Sequence, residues 1–143
     1  MESQNYSNHT RWYPLFHFVL MPLLVLNLLS HLVRLVMDPS VNLAFWVVLS
    51  IALLLLAFTS RLMALQVQNR VIRLEERLRY RELLPPDLYK RAEALSVGQI
   101  VALRFASDGE LAGLIDRSLN GEFGKNNEIK LAVKNWRGDY LRA

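Results

Sequence analysis

The chain has 143 residues, 52% of them hydrophobic, and a formal net charge of +4. That length, with a mean hydropathy of +0.17, leaves room for membrane-spanning segments and one small soluble domain, not for an elaborate enzyme. Cysteine is absent, which excludes disulfides, thiolate metal sites and a cysteine nucleophile and fits a reducing compartment.

Residues 1–11 form a polar lead. Residues 12–33 and 39–60 then carry no charged side chain, and each stretch has about the ~20 residues that cross a ~30 Å hydrocarbon layer as helix. The first is too long for the apolar part of a signal peptide, has only Arg11 before it and lacks a small-x-small cleavage site, so it is expected to be retained. The spacing predicts a transmembrane hairpin over 12–60, with spans at about 12–37 and 40–60 joined by a short antiparallel turn.

Within the first span Asn27, His31, Arg34 and Asp38 follow one another at intervals of four, three and four, on one helix face. Polar groups at mid-depth are costly, roughly 2.5 to 3.5 kcal/mol for Arg at the centre of an inserted helix, so this stripe is expected to face a partner helix. Two readings apply: a packing hydrogen bond at Asn27 with Arg34 snorkelling to the surface near Asp38, or an ion or proton path in which His31 titrates. Pro22 predicts a kink or a polar filler, and Pro14 fits a first turn. Trp12, Tyr13 and Trp46 suit interfacial anchors, with Trp46 deep enough to pack on the first span instead. Ser50 is placed to bond a backbone carbonyl or the neighbouring helix.

Basic residues gather after the second span. Residues 1–60 sum to zero, residues 61–82 carry +3, and the remainder adds only +1. The linker 38–40 has no Lys or Arg, whereas Arg61, Arg70 and Arg73 follow the second span, which predicts that both termini face the cytoplasm. Over 61–84 a basic amphipathic stalk helix continues the second span, with an apolar seam of Ala64, Val67, Val71, Leu74 and Leu78 at heptad spacing. The seam is expected to zip with another copy, to pack on the chain's own tail, or to lie along anionic headgroups. Glu75 and Arg79, four apart, form a correctly ordered helical pair.

Leu84-Pro85-Pro86 ends the stalk and opens a small helical subdomain over 85–143. Four helices are predicted there, at 87–95, 97–106, 108–119 and 128–136, the second and third opened by the capping boxes Ser96-x-x-Gln99 and Ser107-x-x-Glu110. Ile100, Leu103, Leu111, Leu114, Ile115, Ile129, Ala132, Val133 and Trp136 form its expected core, which at this size needs the stalk or a partner. A strand at 99–105 is the weaker alternative. The fold class is therefore an all-α membrane protein.

No catalytic constellation emerges. His9, His17 and His31 make no metal-binding pair at helical spacing, and GxxxxGK[ST], GxSxG and HExxH are all missing. Neither a cofactor nor a metal is expected, and the chain is read as no enzyme. The sequons at Asn5 and Asn8 are accidental on a cytoplasmic lead. Residues 130–137 carry Lys134, Trp136 and Arg137, a set able to touch RNA, but the near-neutral tail disfavours nucleic acid as a partner.

Gln4-Asn5-Tyr6, Asn8-His9-Thr10-Arg11, Pro14 and Phe16-His17-Phe18, then Leu103-Arg104-Phe105-Ala106-Ser107-Asp108, and Lys134-Asn135-Trp136-Arg137 with Asp139-Tyr140 resemble the motifs of an uncharacterised family of small bacterial two-span membrane proteins. The resemblance covers nearly the whole chain and implies a bacterial membrane location, expected here to be the inner membrane, and no activity. It draws attention to the lead and to the 105–108 turn, with His9, Arg11 and His17 as contact residues toward the stalk base. The expected function is a membrane scaffold or accessory subunit whose partners are lipids, anionic headgroups at the stalk, and a second copy or another membrane protein. An oligomeric ion or proton conduit is the alternative, and a ribosome or nucleic-acid tether the third reading.

Overall fold

The computed structural model describes residues 4–10 and 12–140. It is all-helical: a π-helical turn at Leu15–Leu20 runs into α1 (Met21–Met37), followed by α2 (Val41–Leu83), α3 (Pro86–Ala92), α4 (Val97–Leu103), α5 (Asp108–Leu119) and α6 (Asn126–Ala132). No strand occurs among the described residues, only an isolated antiparallel bridge between Ala106 and Trp136. The chain divides into two compact units, residues 12–65 on the one hand, and the lead with residues 66 onward on the other.

In the hairpin unit two helical segments, Leu15–Met37 and the start of Val41–Leu83, are long and apolar enough to cross a membrane by length and composition. Leu23, Leu26, Val36, Met37, Val48, Leu55, Leu56 and Phe58 are all exposed, far more contiguous apolar surface than a water-facing monomer carries. Pro22 lacks an amide hydrogen, so the carbonyl four residues earlier loses its α-helical donor. The backbone just upstream, at Leu15–Leu20, takes the wider π spacing, which is the register change expected of such a defect. The Ser40 hydroxyl accepts the Leu43 amide at 3.2 Å and so caps the start of α2.

The second unit is built around the C-terminal part of α2. Tyr80 and Leu84 enter one apolar core with Ile100, Leu103, Leu111, Leu114, Ile115, Ile129 and Val133, and Ala132 and Trp136 pack against it. All nine residues expected in the core are therefore there, and the subdomain does lean on the stalk. Pro85 and Pro86 end α2 and start α3. At α4 the capping box is reciprocal: the Ser96 side chain accepts the Gln99 amide at 3.3 Å and Gln99 Oε1 accepts the Ser96 amide at 2.8 Å. Gly121, with φ of 75°, closes α5, as the Glu122 amide donates to Arg117 O and the Gly121 amide to Ser118 O, the double bond of a left-handed helix stop.

Two expectations need correction. The last helix is predicted to reach residue 136 but ends at Ala132, because residues 133–137 leave the helix to bond elsewhere: the Ser107 amide donates to Asn135 O at 3.0 Å and the Arg137 amide to Phe105 O at 2.7 Å. Glu110 holds this return in place. Its Oε1 accepts the amides of Ser107 and Asn135, and its Oε2 that of Lys134. The second concerns Arg79, which pairs with Glu76 and Asp108, not with Glu75.

Replacing Glu110 with Ala strips three backbone amides of their acceptor, each worth about 1 kcal/mol or more when left unpaired. Glu110→Ala should lower the unfolding free energy of the second unit by roughly 1–3 kcal/mol, with faster hydrogen exchange at Lys134 and Asn135 in the full-length protein. Unchanged exchange at both amides would contradict the role given to Glu110.

Candidate functional site

The polar stripe of α1 divides into two parts. Asn27 Nδ2 donates to Ser50 Oγ at 2.8 Å, and Ser50 Oγ donates to Trp46 O at 2.8 Å. His31 stacks on Trp46, ring centroids 5.9 Å apart and 15° from parallel, while its Nδ1 is buried without a hydrogen-bond partner. Asn27 and His31 thus meet α2, the helix that follows them. Arg34 and Asp38 are exposed, and no ion pair joins them among the described residues.

The stalk seam is open. Val67, Val71, Leu74 and Leu78 are 48–62% exposed, and Ala64 is exposed as well. The side of α2 that the tail covers is a different one, carrying Ile72, Glu76 and Tyr80 at intervals of four. That second stripe was the signal available in the sequence: an apolar residue, a carboxylate and a tyrosine in helical register, hidden by the six arginines around it.

The N-terminal contact residues are dispersed. His17 bonds to Tyr13 and lies against Trp12 and Phe16; Arg11 falls outside the described residues. His9 meets the tail. Its ring is 5.9 Å from that of Phe105 and 5.8 Å from that of Trp136, its Nδ1 bonds to Tyr6 O, and its Nε2 lies 3.1 Å from Lys130 Nζ. Five residues earlier, buried Gln4 accepts the Asp139 amide through Oε1 at 2.7 Å.

Segments 4–9, 103–108 and 134–140 therefore converge, and a charge network ties them to α2. Glu76 has a side chain only 5% exposed, and each of its oxygens lies 3.1 Å from an arginine, Oε2 from Arg79 and Oε1 from Arg137. Arg79 continues to Asp108 at 2.6 Å and to Ala106 O at 2.8 Å. Buried Arg104 donates to Asp139 at 2.8 Å and to Val101 O, with its guanidinium 4.1 Å from the centre of the Phe105 ring. Burial pushes the Glu76 carboxyl above its ordinary range, and the arginines only partly oppose this. Burial also lowers Arg104, offset by Asp139, and raises the Tyr80 phenol, whose oxygen has no partner.

A cleft of about 630 Å³ opens beside this network, lined by Ile72, Glu75, Glu76, Arg104, Arg137 and Tyr140 among others. No cluster of His, Asp and Glu among the described residues could hold a metal ion. The arrangement is suited to fixing three chain segments against one helix. Sequence reasoning gave no role to Gln4, Glu76, Arg104 and Asp139, because their long-range partners lie 35 to 135 residues away and no local pattern joins them.

Two measurements follow. In a double-mutant cycle in bilayers, Asn27→Ala and Ser50→Ala should couple by about 0.6 kcal/mol, and by no more than about 2, whereas strict additivity would mean the bond contributes nothing. A carboxyl whose folded pKa is raised favours the fold fully below its unfolded value of 4.5 and loses that contribution as pH climbs through the folded value. Glu76→Gln should therefore flatten the decline in stability above pH 4.5, read from denaturant melts at several pH values. An unaltered slope would contradict the burial assigned to Glu76.

No curated protein and no solved structure matches the chain. A family of unknown function, DUF6526, matches residues 1–143, the whole length over which the three converging segments are distributed. The chain belongs to that family.

Proposed function

We propose that this protein is a non-enzymatic integral membrane scaffold or accessory subunit of the bacterial inner membrane. Its two spans anchor a cytoplasmic helical docking module, and its stalk associates with a further chain. The observation that carries the reading is the character of α2, one unbroken helix from Val41 to Leu83. Its first half exposes apolar residues almost throughout, and its last turns bury Ile72, Glu76, Tyr80 and Leu84 in a folded soluble unit. Such a helix suits a lipid anchor that continues into a water-soluble module.

Orientation is supported from two directions. Basic residues cluster after the second span and are missing from the linker, as expected for cytoplasmic termini. The lead also packs on the tail through Gln4 and His9, which two crossings allow and a single crossing forbids.

The conduit reading draws on the unpartnered His31 Nδ1. It has less support, since Asn27 and His31 face α2 and Arg34 stands apart from them. The nucleic-acid tether has least, because Arg137 is engaged by Glu76 and Trp136 lies among the rings of Phe105 and His9.

Affinity purification of the full-length protein from native membranes should recover one stoichiometric partner besides the chain itself, and Glu76→Ala, which unsettles the docking module, should lose it. Recovery of chaperones alone would count against the scaffold. In liposomes, wild type and His31→Leu should be equally silent in proton flux, whereas flux abolished by His31→Leu would move the conduit reading to first place.

A further inference from the structure

We infer that the open seam of α2 is the interface with a second copy of this chain, in a parallel, in-register coiled coil selected by its flanking charges. The inference rests on the membrane-anchored reading above, since two copies held in one membrane present their α2 helices in the same direction.

With Ala64, Val71 and Leu78 at a positions and Val67 and Leu74 at d, the flanking positions follow directly. Arg70 and Arg77 fall at g, and Glu75 and Glu82 fall at e. In a parallel pair, g of one helix faces e of the next heptad on its partner. Arg70 then faces Glu75 and Arg77 faces Glu82, on both sides of the seam, giving opposite charges at all four crossings. In an antiparallel pair g faces g and e faces e, which would set Arg against Arg and Glu against Glu.

The fold leaves this set free. Arg70, Glu75, Arg77 and Glu82 make no side-chain hydrogen bond or ion pair within the chain among the described residues, whereas Glu76 and Arg79 are fully engaged. The residues that the tail covers, Ile72, Glu76, Arg79 and Tyr80, fall at b, f, b and c, the positions a two-stranded coil turns outward. The soluble unit thus occupies the outer side of α2 and leaves a, d, e and g to a partner. Charge complementarity chooses that partner as another copy of the same helix, aligned head to head.

The test uses full-length protein in native-composition vesicles, with single cysteines that the chain otherwise lacks. Val71→Cys and Leu74→Cys should cross-link efficiently between copies with a short bis-maleimide, and Arg73→Cys, at an outward c position, should not. Adding R70E and R77E to Val71→Cys should reduce the cross-linked fraction roughly tenfold through repulsion at four crossings, and further adding E75R and E82R should restore it. An antiparallel dimer would show no such rescue, and a chain that remains monomeric at high protein-to-lipid ratio would also overturn the inference. If cross-linking and rescue hold while no other protein co-purifies, the dimer stands and the scaffold reading falls. If a partner co-purifies but Val71→Cys does not cross-link, the reverse holds.

Discussion

Glu76 is a carboxylate placed where water barely reaches, and that burden organises the second unit around it. An isolated charge in such a place would be several kcal/mol out of balance, so both oxygens take an arginine, one from the same helix and one from a segment 61 residues on. Arg79 in turn holds Asp108 and the Ala106 carbonyl, at the entry to α5. The network adds little net stability over an apolar replacement. What it supplies is register, because only one rotation of the C-terminal part of α2 brings Glu76 under Arg137 while Ile72 and Tyr80 enter the core.

That single rotation has two consequences. On the covered side, residues 103–108 and 134–140 pair across the Ala106–Trp136 bridge, and the lead closes over them through Gln4 and His9. Away from it, the apolar seam of Val67, Val71, Leu74 and Leu78 stays exposed. The same residues that fix the interior of the unit therefore define its outward-facing surface.

Much of this was legible in the sequence. The charge-free stretches, the Leu84-Pro85-Pro86 break, both capping boxes and the nine core positions depend on local composition and short-range periodicity, and the structure reproduces them. So does the Asn27–Ser50 contact in outline, since a polar group on an apolar helix needs a partner and the adjoining helix is nearest. Residues 133–136 are read as helix from the sequence because apolar Val133 and Trp136 continue the α6 period, while the amides that draw the chain out of the helix are answered by Glu110 and Phe105, far away in sequence. The Glu76 network was invisible for a related reason: amid six arginines, one more glutamate reads as a solvated face, and only packing reveals that it is buried.

The central claim is that two crossings place lead and tail on one side, where Gln4 and His9 can reach Asp139 and Trp136. Because the chain has no cysteine, Ser7→Cys, Ser40→Cys and Lys134→Cys are each a clean reporter for a membrane-impermeant thiol reagent applied to sealed vesicles of known orientation. The account predicts that positions 7 and 134 label together from the cytoplasmic face and position 40 from the opposite face. Labelling of positions 7 and 134 from opposite faces, or of all three from the same one, would contradict it.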